Sequence, residues 1–198
     1  MRGLILGLIG LVAGAAQADV YISIGAQGTY VLSNVHRPGR HYERVISEAG
    51  VQAGAVGAQL VTGRPYADLV AEAARTHEVP QALLHAVIQA ESGYDPKARS
   101  AKGAAGLMQL MPGTAKAMGV RDVLDPKDNL QGGARYLKRM LTLFDNDITL
   151  AVAAYNAGPD AVLRRGRVVP PFAETRRYVP SVLREYRRLQ GLAEDAPL

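Results

Sequence analysis

Leu130, Ala134, Leu137, Leu141 and Phe144 are spaced 4, 3, 4 and 3 residues apart. That spacing lines five apolar side chains along one stripe of an α-helix, whereas a strand, with its period of two, would scatter them over both faces. A helix of about Asp128 to Phe144 must bury this stripe against other elements. Neighbouring segments carry the same signature. "PYADLVAEAARTHEV" sets Leu69, Val70 and Ala73 on one face. "PQALLHAVIQAES" starts at Pro80, aligns Leu84, Val87 and Ile88, and ends before Gly93. "PGTAKAMG" predicts a short helix closed by Gly119, and Ala105 to Leu110 predicts a helical turn. Asp147 is placed to cap "ITLAVAAYNAG", which Gly158 and Pro159 terminate. "PDAVLRRG" is another short helix. "FAETRRYVPSVLREYRRLQ" is the last, with a kink or restart expected near Pro180. Strands do not alternate with these helices, and no fixed-period repeat occurs. The expected fold class is mainly α, an all-helical globule over residues 66–190 with short connections.

The preceding residues differ in character. "VYISIGAQGTYVL" places β-formers on either side of a Gly25 to Gly28 turn, the pattern of a short hairpin. The stretch after it is irregular, with "SEAGVQAGAVGAQL" reading as an Ala/Gly-rich linker and a weak helix around Glu43 to Glu48 as an option. At the start, Arg2 precedes an apolar run from Leu4 to Ala13 and the small-x-small triplet Ala16-Gln17-Ala18. This is the pattern of a secretory signal peptide cut before Asp19, too short in its apolar run to span a bilayer. The expected organisation is a signal peptide at 1–18, a hairpin and linker of open role at 19–65, a helical domain at 66–190 and a tail at 191–198. Cysteine is absent, so neither a disulfide nor a lipidated cysteine behind the signal can form. A soluble periplasmic protein, a monomer without an integral membrane segment and not a lipoprotein, is the expectation.

The formal charge of +5 falls to +4 once Arg2 leaves with the signal. The excess sits late, at Arg164, Arg165, Arg167, Arg176, Arg177, Arg184, Arg187 and Arg188. Such a cluster suits an anionic polymer or membrane, or is a solvated helix face. Export argues against nucleic acid.

Several chemistries drop out. His77-Glu78 opens like a zinc-protease motif, but Gln81 stands where its second histidine belongs. His36, His41, His77 and His85 show no ligand spacing, so neither a metal nor a cofactor is expected. No Gly-x-Ser-x-Gly elbow and no Walker A loop occur. Glu91 is the notable carboxylate. It falls at i+7 from Leu84 and so continues the stripe that its helix buries. Burial without a cation raises a carboxyl pKa, which suits a general acid. A glutamate bending to solvent at a helix end is the plainer alternative. Around it, "ESGYDPKARSAKGAAGLMQLMP" offers glycines for close backbone approach, Ser100 and Gln109 for hydrogen bonds, and Met108 for a sugar face. Tyr155 and Asn156 follow in "AAYNAGP", and Tyr178 in "ETRRYVP".

Glu91-Ser92, "GLMQLMP" at 106–112, "AYNAGP" at 154–159, and Glu174 with Tyr178-Val179 closely resemble the ordered motifs of the Slt-type (family 1) lytic transglycosylases of the lysozyme-like superfamily. The resemblance covers about residues 66–190. It implies a lysozyme-like helical catalytic domain that cuts the β-1,4 bond between N-acetylmuramic acid and N-acetylglucosamine in peptidoglycan strands, leaving a 1,6-anhydromuramoyl end. Glu91 would act as acid and then base. Ser100 would bond the acetamido group or the carboxylate, Gln109 would bind glycan, Met108 and Tyr155 would line the groove, and Tyr178 and Asn156 would lie near the reacting centre. Ordinary glycosidases use two carboxylates; the nearest second acid in sequence is Asp95, which reads as a turn residue before Pro96. A hydrolase on the same fold, a non-catalytic glycan binder, and a wall-opening accessory of a secretion or pilus machine stay open as alternatives.

Overall fold

The computed structural model describes residues 20–24, 30–33, 44–46, 59–194 and 196. The expected signal peptide, the Gly25 to Gly28 turn and most of the Ala/Gly-rich linker lie outside these. In the N-terminal unit, β1 (Val20–Ile24) pairs antiparallel with β2 (Tyr30–Ser33), Tyr21 opposite Ser33 and Ile24 opposite Tyr30. The other edge of β1 pairs antiparallel with β3 (Arg44–Ile46), giving the strand order β2-β1-β3. Residues 44–46 are therefore strand where a weak helix was an option. Arg44, Val45 and Ile46 include two β-branched side chains, which favour strand over helix.

The second unit is helical. After a single helical turn at 59–62, α1 (Ala67–His77), α2 (Gln81–Ser92), α3 (Pro112–Ala117), α4 (Pro126–Leu143), α5 (Ile148–Ala157), α6 (Pro159–Leu163) and α7 (Ala173–Leu189) follow. The caps explain several boundaries. Asp125 and Asp147 side chains accept the amides of Asp128 and Leu150, at 2.8 and 2.9 Å, starting α4 and α5. Gly93 takes a left-handed φ of 57° and ends α2.

α2 is the central helix. Every side chain from Leu83 to Ile88 is buried, including His85, whose Nδ1 lies 2.9 Å from the Tyr94 hydroxyl. α7 packs along α2, and α4 packs against α1 and α5. The stripe Leu130, Ala134, Leu137, Leu141 and Phe144 is buried throughout, as its spacing requires.

Two segments depart from expectation. Ala105 to Leu110 is not a helical turn. It is a tight loop closed by reciprocal backbone bonds between Ala105 and Leu110, 3.1 and 3.0 Å, and turned by left-handed Gly106 and Gln109. α7 runs unbroken through Pro180, with no restart. Pro180 and Arg176 are both exposed, so the Arg176 carbonyl that loses its partner meets water, while buried Val179 and Val182 hold the helix in register.

The loop between α2 and α3 is held by a buried side chain. Asn129 is fully buried in α4; its Oδ1 accepts the Met108 amide at 2.8 Å, and its Nδ2 donates to the Ala105 and Val123 carbonyls at 3.1 and 2.8 Å. Gly106 and Gly133 make the approach possible. A Cβ on Gly106 would lie 2.2 Å from Asn129 Nδ2, and one on Gly133 would lie 2.2 Å from Met108 Sδ.

Asn129→Leu keeps the branched shape but strands the Met108 amide and the Val123 carbonyl, while the Ala105 carbonyl keeps the Leu110 amide. Each unsatisfied group costs about 1–3 kcal/mol, so urea unfolding of the variant should show a loss of about 2–4 kcal/mol. A loss under about 1 kcal/mol would mean that the loop is held by other contacts.

Candidate active site

Glu91 stands at the C-terminal end of α2, half-buried, on the floor of a groove of about 950 Å³. The groove walls come from three places. The α2–α3 loop brings Ser100, Lys102, Gln109 and Met111; the end of α5 brings Tyr155 and Asn156; and the first turns of α7 bring Glu174, Thr175, Arg177, Tyr178 and Ser181.

The Tyr178 hydroxyl donates to Glu91 Oε1 at 2.6 Å. The Glu91 carboxyl pKa is pushed up from the ordinary range to about 7. Burial is the main cause; the Tyr178 hydrogen bond works against it, and the charge of Glu174 adds to it. Both Tyr155 and Tyr178 are pushed well above the usual phenol range, by burial first and then by the negative charge of Glu91, so they remain neutral donors. Next to the carboxyl, the Ser92 hydroxyl donates to the Leu107 carbonyl at 2.7 Å, tying the end of α2 to the loop.

The sequence-predicted residues divide in three. Glu91, Tyr155, Asn156 and Tyr178 converge on the groove, and Ser100 and Gln109 line its loop wall. Ser100 Oγ accepts the Ala104 amide at 2.9 Å, and Gln109 Nε2 donates to the Ala98 and Gly106 carbonyls, each at 3.0 Å, so both side chains also brace the loop. Met108 does not line the groove. Its side chain is fully buried against Gly133, and only its main chain serves the site, its carbonyl accepting from Tyr155 Oη at 2.8 Å. The second methionine of the motif, Met111, takes the lining position and is 43% exposed. Asp95 is a turn residue, its carboxylate accepting the Lys97 amide at 2.9 Å.

A second carboxylate does enter the groove, from far along the chain. Glu174 pairs through Oε2 with Lys102 Nζ at 2.9 Å and accepts Asn156 Nδ2 through Oε1 at 3.4 Å. The Lys102 hydrogen bond holds its pKa below the usual range. Asn156 Oδ1 in turn accepts the Thr175 hydroxyl at 2.7 Å. Asp95, the nearest acid in sequence, is the turn residue that its place before Pro96 suggested; Glu174, known from the sequence only through the motif resemblance, is the second acid of the groove. Among the described residues no three His, Asp or Glu side chains are grouped to hold a metal ion.

One groove thus holds a carboxyl that keeps its proton near neutrality and a carboxylate that does not. The first can donate a proton to a leaving oxygen and afterwards accept one. The second is neutralised by a lysine.

Comparison with known proteins points to one family. A model of the transglycosylase SLT domain matches residues 68–174. The soluble lytic murein transglycosylase of Salmonella typhimurium is 36% identical over 154 residues, covering 65% of this chain and 24% of that protein. Its Escherichia coli counterpart is 37% identical over 140 residues, covering 60% and 22%. The solved 70 kDa soluble lytic transglycosylase of Escherichia coli superposes with a TM-score of 0.59 at 32% identity, over 74% of this chain and 29% of that one. An inactive mutant of the lytic transglycosylase Slt from Pseudomonas aeruginosa superposes with a TM-score of 0.57 at 34% identity, over 64% and 24%. The chain spans about a quarter of the length of these relatives.

The raised Glu91 pKa also sets a stability test. A carboxyl that titrates at about 7 when folded and near 4.5 when unfolded favours the fold fully below 4.5, and this contribution is lost as pH rises through 7. Glu91→Gln cannot ionise, so thermal melts should find it gaining on the wild type as pH rises from about 4.5 to about 8. Parallel curves across that range would mean that Glu91 titrates as an ordinary exposed acid.

Proposed function

The chain belongs to the transglycosylase SLT domain family, and from that premise we propose that it is a peptidoglycan lytic transglycosylase with residues 66–190 as its catalytic domain. The observation that carries the reading is Glu91: half-buried at the groove floor, shifted to about 7 and bonded by Tyr178 at 2.6 Å.

The protonated Glu91 gives its proton to the oxygen joining muramoyl C1 to the next sugar, and the C1–O bond breaks. Positive charge develops at C1. The Glu91 carboxylate, left bare, then takes the proton of the muramoyl C6 hydroxyl as O6 bonds to C1. The product carries a 1,6-anhydro ring, no water is consumed, and Glu91 is again protonated. Glu174 does not act as a nucleophile, since its two oxygens are engaged by Lys102 and Asn156. The sugar's own acetamido oxygen is the internal group suited to stabilise C1, a recognised departure from the two-carboxylate scheme. Tyr178 holds one Glu91 oxygen, leaving the other for the glycosidic oxygen. Met111 offers an apolar, polarisable surface to a sugar face.

Export to the periplasm, by removal of residues 1–18, places the enzyme with its substrate; Arg2, the apolar run and Ala16-Gln17-Ala18 support it. No helix among the described residues is long and apolar enough to cross a membrane.

Mass spectrometry of fragments released from purified peptidoglycan should find anhydromuramoyl ends with the wild type. Loss of a positioned general acid removes a factor of at least ~10² in rate, so Glu91→Gln should release almost none. Reducing muramoyl ends would instead identify a hydrolase, and no fragments from folded wild type would remove the enzymatic reading. A second test uses pH. The Tyr178 hydrogen bond favours the Glu91 anion, so Tyr178→Phe should raise the Glu91 pKa and move the alkaline limb of the rate profile to higher pH. An unmoved or acid-shifted limb would show that another group sets it.

A further inference from the structure

The groove has an uncommitted cation. Two basic side chains line it, Lys102 and Arg177. Lys102 is bound to Glu174 at 2.9 Å. Arg177 makes no ion pair and no side-chain hydrogen bond among the described residues, and it is exposed while lining the same groove as Tyr178. Ser181 lies one helical turn beyond Arg177 on the same wall and is likewise exposed without a hydrogen-bond partner among the described residues. Residues at i and i+4 are neighbours on a helix surface, so a guanidinium and a hydroxyl stand side by side there.

Within the groove this arginine acts on Glu174 only through its charge, helping to lower its pKa, while Lys102 supplies the ion pair. Glu91 keeps its proton up to about neutral pH and is served by Tyr178. The sugar rings of the glycan backbone are uncharged. The negative charge on a peptidoglycan strand sits on the 3-O-lactyl arm of the muramoyl residue, either as the free lactyl carboxylate or as the carboxylates of a peptide attached there.

We propose that Arg177, with Ser181 beside it, is a specificity-determining site that binds a carboxylate on the lactyl arm of the muramoyl unit. A guanidinium meets a carboxylate in a two-pronged, charge-assisted hydrogen bond, and the serine hydroxyl supplies a further donor. The site selects muramoyl-bearing strands over neutral glycans of the same backbone. It also fixes which sugar of the alternating pair sits beside Glu91, because the arm occurs on every second residue.

This inference rests on the glycan-cleaving reading, and the experiment separates the two. In the full chain carrying Glu91→Gln, so that ligands survive, binding is measured by calorimetry to three glycans of equal length. These are neutral chito-oligosaccharide, a muramoyl strand stripped of peptide, and the same strand with its peptides. One of the charged strands should bind about tenfold more tightly than the neutral one, the scale of one charge-assisted pair, and which one does so identifies the carboxylate. Adding Arg177→Gln should bring that ratio to within about twofold, as should raising the salt concentration. Arg176→Gln, on the next residue but outside the groove lining, should keep the ratio. Equal ratios with and without Arg177, or equal losses from Arg176 and Arg177, would overturn the site while leaving the glycan groove intact. Failure of all three glycans to bind would overturn the groove reading and this site with it.

Discussion

The site depends on how the main chain of one residue is held. Met108 has its amide bound by Asn129 of α4 and its carbonyl bound by Tyr155 of α5, each at 2.8 Å. The segment from Gly93 to Met111 has no helix of its own and is shaped by turn bonds within itself, among them the pair between Ala105 and Leu110. A loop that carries a groove wall must also be anchored to the core. Asn129 is suited to this because it is fully buried and bonds three main-chain groups, of which the Met108 amide and the Val123 carbonyl would otherwise be unpaired. The Met108 side chain then fills the space left open by Gly133. Once Met108 is fixed, Leu107 is placed to accept from Ser92, and the end of α2 cannot swing away from the loop.

That rigidity matters because the two carboxyls of the groove must be kept in different states. Glu91 is raised by burial, and Glu174 is lowered by Lys102. The partners belong to different elements: Lys102 comes from the loop, Glu174 and Tyr178 from α7, and Asn156 from α5. If the loop drifted, Glu174 would lose its ion pair with Lys102 and keep only the nearby charge of Arg177.

Most of the helical frame was legible in the sequence because it follows local rules. The stripe in α4, the aspartate cap of α5, and Gly93 behind α2 each declare themselves within one or two turns. So did the central feature of the site, since Glu91 lies at i+7 on a buried stripe. The misses came where tertiary contacts decide. Met108 and Met111 are the same residue type in one motif, and nothing local tells which faces the core; the answer lies in Gly133, more than twenty residues away. Glu174 could not be assigned to the groove from chain distance, while Asp95 was read correctly as a turn residue because Pro96 follows it. Pro180 carries a local rule against helix, which the packing of Val179 and Val182 overrides.

A residue that is to be acid in one half-reaction and base in the next needs a pKa near the working pH, because either extreme favours one half at the expense of the other. Burial alone would carry Glu91 too far, making the bare carboxylate costly and the second proton transfer late. The Tyr178 hydrogen bond opposes burial by stabilising the anion, and both Tyr178 and Tyr155 are held as neutral donors by that same burial. A lysine or arginine beside Glu91 would stabilise the anion more strongly and would abolish the acid. The groove instead keeps its cations away from that role: Lys102 is bound to Glu174, and the hydrogen-bond partner of Glu91 is a phenol. In the proposed mechanism, a neutral donor rather than a charged one lets a single carboxyl serve both proton transfers.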